Sequence, residues 1–526
     1  MTFGSGVGDH GEHRAPATMA GVVALAAMMA AVAANAVTAE AAPGATPVHG
    51  LALSAATAAP ETDVRAPAAS APPLQSGLDR LIGSRLEQPE LDGTVVSALF
   101  RTVEGDVLYE RSPDRPLVPA SNMKIVTAAC ALSTLGQDYE FVTLIGTDGA
   151  IEDEVLNGDL YVLGSGDPSL VSEEMWKICE SLAARGIRRV EGDLVLDASR
   201  FDAEQLPIPD GDDGDRAYNA RTSALSLNFN TIAVHVYPGV RRGDDAIVSV
   251  TPDVGVVDLK SSASTGSSRR GSSIEVRRGF DGDRNTVRVT GRIPEGSVGQ
   301  TFYRNLDAPS GCFGAALVGF LKMAGIEVAG EFREGPYPEN AVLLHRHESK
   351  ALSLIVRDMG KYSNNFVAEQ LLKELAAEIG GQPGTTEGGA GVLSDYLASL
   401  GAEDGTYVVV DGSGFSRDNR LTTRNITRVM IDMMSDFEYG YEFIASLSVG
   451  GVDGTLSDRM GFPGLRGSVR AKTGLLNGVT AISGLLRTVY GGDVVFSIIT
   501  NGSACEAWRL HDLEHEILAY VAREAG

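Results

Sequence analysis

Residues 469–500, VRAKTGLLNGVTAISGLLRTVYGGDVVFSIIT, decide the fold. They divide into three strand-like runs, 469–473, 479–487 and 493–500, rich in β-branched residues. Asn477-Gly478 and Gly491-Gly492 punctuate them, and connections that short force neighbouring strands to run antiparallel. Beyond the third run, residues 506–525 place Leu510, Leu513, Ile517, Leu518 and Val521 at the spacing of one face of an amphipathic helix. Far upstream, residues 94–102 and 106–110 form two more strand-like runs around the turn Val103-Glu104-Gly105. Both ends of the chain therefore offer antiparallel strands to one sheet, with the terminal helix over a face.

Pro119-Ala120-Ser121 opens a helical run over 121–135, and Tyr362-Ser363-Asn364 opens another over 365–379. Strand-rich stretches lie between them, at 159–163, 192–196, 231–237 and 286–291. The middle of the chain reads as a mainly β insertion, and a helix near 315–324 fits either part. Residues 261–285, polar and rich in Ser, Gly and Arg, read as an exposed loop.

The chain has 526 residues, enough for two to four domains. A hydrophobic content of 43% and a charged content of 21% exclude a wholly disordered, collagen-like or polytopic membrane protein. A net charge of −25 argues against general nucleic-acid binding, because such a surface repels phosphate. Only eight of the 44 basic residues are lysine. Lysine can release its proton in a protein and arginine cannot, so a lysine inside a chemical motif carries weight here.

Residues 21–34 are apolar and small, and Ala34-Asn35-Ala36 and Val37-Thr38-Ala39 suit a signal peptidase. Residues 1–39 read as a secretory signal or an N-terminal membrane anchor, and 40–77 as an Ala/Pro-rich linker. The expected location is exported, in the periplasm, cell wall or outside. The four cysteines, Cys130, Cys179, Cys312 and Cys505, allow three pairings that the sequence does not choose between. Cys130, in an apolar run, reads as a buried thiol.

Three short motifs carry the chemistry. Ser121-Asn122-Met123-Lys124 is S-x-x-K at a helix start. Residues three apart share a helix face, so the amine reaches the hydroxyl and can take its proton. Ser363-Asn364-Asn365 is S-x-N at a second helix entrance, and Lys472-Thr473-Gly474 is K-T-G on a strand. Each is weak alone, but their order and contexts together match the signature of penicillin-binding proteins and serine β-lactamases.

The chain resembles the D-alanyl-D-alanine carboxypeptidase/endopeptidase family, the class C low-molecular-mass penicillin-binding proteins or S13 peptidases. Asp411-Gly412-Ser413-Gly414-Phe415-Ser416-Arg417 and Gly450-Gly451-Val452-Asp453-Gly454-Thr455-Leu456 look like further family features. So does the long stretch between the first two motifs, which β-lactamases lack. The resemblance implies an α+β fold: a penicillin-binding-protein/β-lactamase-like transpeptidase domain, antiparallel sheet with helices, holding an inserted β-rich region. The expected parts are 78–141 and 326–526 for the transpeptidase domain and 142–325 for the insertion. It implies a serine DD-peptidase acting on peptidoglycan stem peptides and inhibited by β-lactams, with no cofactor and no metal.

The resemblance also implies roles. Ser121 is the nucleophile and Lys124 its base. The N–H groups of Ser121 and Leu475 form an oxyanion hole. Ser363 relays a proton to the leaving amine, and Asn365 orients Lys124 and binds the substrate amide. Lys472 and Thr473 bind the terminal carboxylate, while Gly474 allows close approach. Arg417 lines the pocket for the stem-peptide side chain, and Asp213, with Asp215 as rival, faces its free amine. Leu475 departs from the small hydroxylic residue of many relatives. Rival readings are a β-lactamase or esterase on the same fold, and a non-catalytic penicillin- or wall-binding protein. His511-Asp512-Leu513-Glu514-His515 fits H-x-x-E-H, but only 11 residues follow it, and it reads as a charged surface stripe. His345 and His347 read as exposed alternation.

Overall fold

A computed structural model describes residues 74–207, 214–282, 284–502 and 507–525. The two chain ends meet in one six-stranded antiparallel sheet. Its strands are β1 (Val95–Thr102), β2 (Val107–Arg111), β3 (Ser448–Val449), β4 (Val469–Leu476), β5 (Val479–Arg487) and β6 (Asp493–Asn501), in the order β2-β1-β6-β5-β4-β3. The seam is the β1–β6 pair, in register from Val95 opposite Asn501 to Thr102 opposite Val494. The K-T-G strand runs three residues past the expected end at Thr473. Gly474, Leu475 and Leu476 stay in the ladder, opposite Ala481, Thr480 and Val479. The chain then reverses at Asn477-Gly478, where Gly478 has a φ of 72° that suits a two-residue hairpin.

Both faces of the sheet are covered, so its inner strands read as continuous apolar runs. On β6, Val494, Phe496 and Ile498 face helices α1 (Leu74–Leu86) and α6 (Ala507–Glu524), packing with Leu78, Ile82, Leu513, Ile517 and Val521. Val495 and Ile499 point the other way, as the two-residue period of a strand requires. There they meet helices α2 (Met123–Leu135), α3 (Leu352–Tyr362), α4 (Asn365–Ile379) and α5 (Thr423–Ser435). Every residue from Met123 to Leu132 is buried, so α2 is a central helix wrapped on all sides. Its N-terminus, beside β4, carries Ser121.

The chain between α2 and α3 builds a separate apolar core, from Ile145 to Leu344. Its largest sheet orders Phe332–Glu334, Leu194–Asp197, Leu160–Leu163, Val142–Thr147 and Val342–Glu348. Three of the strands in this part, Glu327–Val328, Phe332–Glu334 and Val342–Glu348, lie past the expected inner boundary at 325 and pair with Arg189–Val190, Leu194–Asp197 and Val142–Thr147. Pairing thus continues to Glu348. The helix Pro309–Met323 contributes Phe313, Leu317 and Leu321 to this core. The expected loop at 261–285 is a correction: it contains strands Ser264–Gly266 and Glu275–Phe280. Val276, alone among charged neighbours, packs on Val287 and Val289, which is too little apolar alternation to stand out in sequence.

The inserted region grips α4 through polar residues. Gln370, fully buried, donates to the Gly166 and Ser223 carbonyls at 3.0 Å each. Lys373 Nζ donates to Asp202 Oδ1 at 2.5 Å and to the Glu204 carbonyl at 2.7 Å. Arg200 makes a two-pronged pair with Glu374 at 2.8 and 2.5 Å.

Candidate active site

The residues Ala120–Asn122 form a single 3-10 turn ahead of α2, which lifts Ser121 to the helix mouth. Ala120 has a φ of 47°, a left-handed conformation that costs a non-glycine residue about 1 kcal/mol or more. Two glycines let backbone press on the turn from either side. A Cβ on Gly414 would lie 1.8 Å from the Ala120 carbonyl oxygen. One on Gly474 would lie 3.0 Å from both Ala120 Cβ and the Pro119 carbonyl oxygen, and 3.1 Å from the Ser121 nitrogen. The glycine of K-T-G lets β4 touch the Ser121 backbone. Gly474→Val is expected to slow penicillin acylation by about 100-fold or more, since small misplacements cost that much, with an unchanged far-ultraviolet circular dichroism spectrum.

Lys124 is buried and its Nζ has three acceptors: Ser121 Oγ at 3.1 Å, Asn365 Oδ1 at 2.8 Å and the Ser413 carbonyl at 2.6 Å. Burial lowers its pKa to about 8, against the opposing pull of Asp411 and Glu369. A neutral amine here keeps two N–H bonds, to Asn365 and Ser413, and turns its lone pair to the Ser121 hydroxyl.

Ser363 joins two helices. It ends α3 with a φ of 55°, and the next residue, Asn364, caps α4 by accepting the Val367 N–H. Lys472 Nζ donates to Ser363 Oγ and to the Thr473 carbonyl, both at 2.8 Å. Burial, then the Lys124 charge, hold the Lys472 ammonium well below its ordinary pKa. Thr473 Oγ1 donates to Thr455 Oγ1 at 2.7 Å. The three motifs thus converge: Ser121, Lys124 and Asn365 in one linked set, Ser363, Lys472 and Thr473 in the other.

Sequence reasoning gave no role to Ser413, Asp411, Glu369, Thr455 or Tyr218. Asp411 accepts the N–H groups of Gly414 and Ser416, both at 2.6 Å. Glu369 Oε1 accepts the Ser413 N–H at 2.8 Å. These two buried carboxylates fix the loop that presents the Ser413 carbonyl to Lys124. Burial and Asp411 push Glu369 up to about 8. Its signal was available, because Asn365 and Glu369 stand four apart on one helix face. Asn365 Nδ2 donates to the Tyr218 carbonyl at 3.1 Å, which fixes its amide with Oδ1 toward Lys124.

The weaker candidates fall out differently. Leu475 is exposed. Arg417 donates to the Asn477 carbonyl at 2.5 Å, on the β4–β5 turn. Asp213 lies outside the described residues. Its rival Asp215 is buried and paired with Arg304 at 3.3 Å, so it is committed within the inserted region. Two surface readings are corrected. Glu514 is buried against Arg459 at 2.7 Å, on the sheet side of α6. His347 is buried 3.5 Å from Asp167, because the inner face of its strand carries it. Cys130, Cys179 and Cys312 are free thiols, while Cys505 lies outside the described residues.

The profile of the D-Ala-D-Ala carboxypeptidase 3 (S13) family matches residues 78–523. The chain belongs to this family. Within S13, it is 34% identical over 438 residues to the D-alanyl-D-alanine carboxypeptidase of Actinomadura sp. (strain R39), covering 80% of each chain. It is 26% identical to D-alanyl-D-alanine carboxypeptidase DacB of Haemophilus influenzae, covering 80% of this chain and 88% of that one. The crystal structure of penicillin binding protein 4 (dacB) from Haemophilus influenzae superposes with a TM-score of 0.73 at 23% identity, over 85% of this chain and 99% of that one. It shares the α+β fold described above. This S13 protein is a serine-type carboxypeptidase.

Proposed function

We propose that the enzyme cleaves D-Ala-D-Ala termini of peptidoglycan stem peptides through an acyl-enzyme on Ser121. The observation that carries this reading is the 3.1 Å contact between Lys124 Nζ and Ser121 Oγ in a buried site. Neutral Lys124 takes the Ser121 proton as Oγ attacks the carbonyl of the penultimate D-Ala. The N–H groups of Ser121 and Leu475 receive the developing oxyanion, where one donor is typically worth ~10²–10³ in rate. The proton passes by way of Ser363 to the leaving D-Ala nitrogen, the C–N bond breaks, and water later hydrolyses the ester. Lys472 and Thr473 hold the terminal carboxylate. Asn365 orients Lys124 and binds the substrate amide, and Arg417 lines the side-chain pocket. A β-lactam acylates Ser121 by the same steps, but its leaving nitrogen stays tethered.

Residues 1–39 act as an export signal or anchor in this reading, which puts the enzyme outside the cytoplasm with its substrate. The test is incubation with a peptide ending in D-Ala-D-Ala and with a fluorescent penicillin. Release of free D-Ala and a long-lived penicillin adduct are expected. Rapid turnover of the penicillin without D-Ala release would favour the β-lactamase reading instead.

A further inference from the structure

The stretch Gly450-Gly451-Val452-Asp453-Gly454-Thr455-Leu456 has no part in the steps proposed above, yet it sits against two of the three motifs. β3 pairs with β4, Ser448 opposite Ala471, and the chain leaving β3 turns back at once. The turn is fixed to the end of α3. Lys361 Nζ donates to Asp453 Oδ2 at 2.8 Å and to the Leu447 carbonyl at 2.7 Å. Asp453 Oδ1 in turn accepts the Val449 N–H at 2.7 Å. Gly454 has a φ of 57°, and a Cβ on it would lie 2.3 Å from Ser448 Oγ and 2.7 Å from the Lys361 carbonyl oxygen. Only glycine suits both that conformation and that close an approach.

This mount carries Thr455 to the K-T-G strand. Thr455 Oγ1 accepts from Thr473 Oγ1 at 2.7 Å and lies 3.3 Å from Ser448 Oγ. Ser448 is fully buried. Its hydroxyl accepts the Thr455 N–H at 3.2 Å and reaches the Lys361 carbonyl only at 3.5 Å. Ser448, Thr455 and Thr473 thus form a row of three hydroxyls that ends at the site. Among the described residues, both partners of the Thr455 hydroxyl are hydroxyls, so it closes no turn of its own loop. Backbone does that instead, with the Gly451 N–H on the Leu456 carbonyl at 2.9 Å.

A hydroxyl has one hydrogen and two lone pairs. While Thr473 donates to Thr455, its hydrogen lies along the row. A carboxylate only accepts, so Thr473 must turn that hydrogen to it, and the 2.7 Å contact then survives only if Thr455 donates. Thr455 can do so, because no backbone group uses its hydrogen and Ser448 can donate to it in turn. Each hydroxyl rotates about its C–O bond, and no proton changes oxygen. A donor behind Thr473 also polarises its hydroxyl and strengthens the bond it gives. We propose, on the reading that a terminal carboxylate sits at Thr473, that Thr455 is a positioning residue for the carboxylate site, donating to Thr473 when the carboxylate takes the Thr473 hydrogen.

The test measures kcat/KM of the full chain on a peptide ending in D-Ala-D-Ala, as the free acid and as the C-terminal amide. The acid-to-amide ratio reports recognition of the carboxylate. Thr455→Val is expected to lower that ratio about tenfold, the scale of one hydrogen bond to a charged group, and Thr455→Ser to restore it. In a Thr473→Val background, Thr455→Val should lower the ratio no further, because the two hydroxyls act through one contact. Equal losses on acid and amide in Thr455→Val would mark a merely structural role and overturn the proposal. So would a fall in the ratio that Thr455→Val still causes in the Thr473→Val background. An unchanged ratio in Thr473→Val alone would remove the carboxylate from Thr473 and overturn the underlying reading as well. A ratio that falls in Thr473→Val but not in Thr455→Val would overturn the positioning role alone.

Discussion

Ser121→Ala is expected to reduce D-Ala release by about 10⁶-fold, the scale seen when a serine nucleophile is removed, and to abolish covalent penicillin labelling. The change deletes one oxygen at the mouth of α2. Lys124 keeps its bonds to Asn365 and Ser413, and Lys472 keeps Ser363. Ground-state binding should therefore persist, and the affinity for peptide should change only a few-fold. Intact-protein mass spectrometry after incubation with penicillin is the direct check. An adduct of penicillin mass on the variant would remove Ser121 from the role of nucleophile.

Lys124→Arg should also be damaging, though less so than Ser121→Ala. Arginine retains the cation but does not give up a proton, and general-base assistance is worth ~10²–10⁴ in rate. The pH dependence adds a sharper criterion. In the proposed role Lys124 is a base only when neutral, and burial holds its pKa to about 8. The acylation rate of the parent should rise with pH through about 8 and then level off. That limb should vanish in Lys124→Arg. A limb that survives the substitution would assign the titration to another group. Timed quenching of penicillin labelling across pH 6–10, bracketing that value, measures both.

The sheet was legible because its strands announce themselves. Asn477-Gly478 and Gly491-Gly492 mark the reversals, and the runs they separate match β5 to the residue. The three motifs were legible because each couples a reactive side chain to a recognisable local context. What stayed hidden depends on contacts far apart in sequence. The carbonyl that holds Lys124 belongs to Ser413, 289 positions away, and carbonyls leave no trace in composition. Glu369 and Asp411 look like any surface acid until the helix and the loop are brought together. Glu514 was misread for the converse reason. A carboxylate on a helix reads as solvated, and Arg459, 55 positions upstream, is what makes its burial tolerable, with the Thr480 side chain beside it. The strand Glu275–Phe280 was missed because most of its side chains are charged or small, so its pairing with Asn285–Thr290, rather than its own sequence, defines it.

The grip on α4 bears on how this architecture can change. Gln370, Lys373 and Glu374 are each at most 1% exposed, and the inserted region supplies partners to all three, with the Tyr139 hydroxyl as a further donor to Glu374. Excising that region would open the helix face to water, which hydrates the two charges and the amide. Replacing Arg200 or Asp202 singly is the harsher change, because the face stays covered and breaking one member of a buried pair commonly costs ~3–5 kcal/mol. The inserted region is therefore bound to keep these partners for as long as it lies on α4.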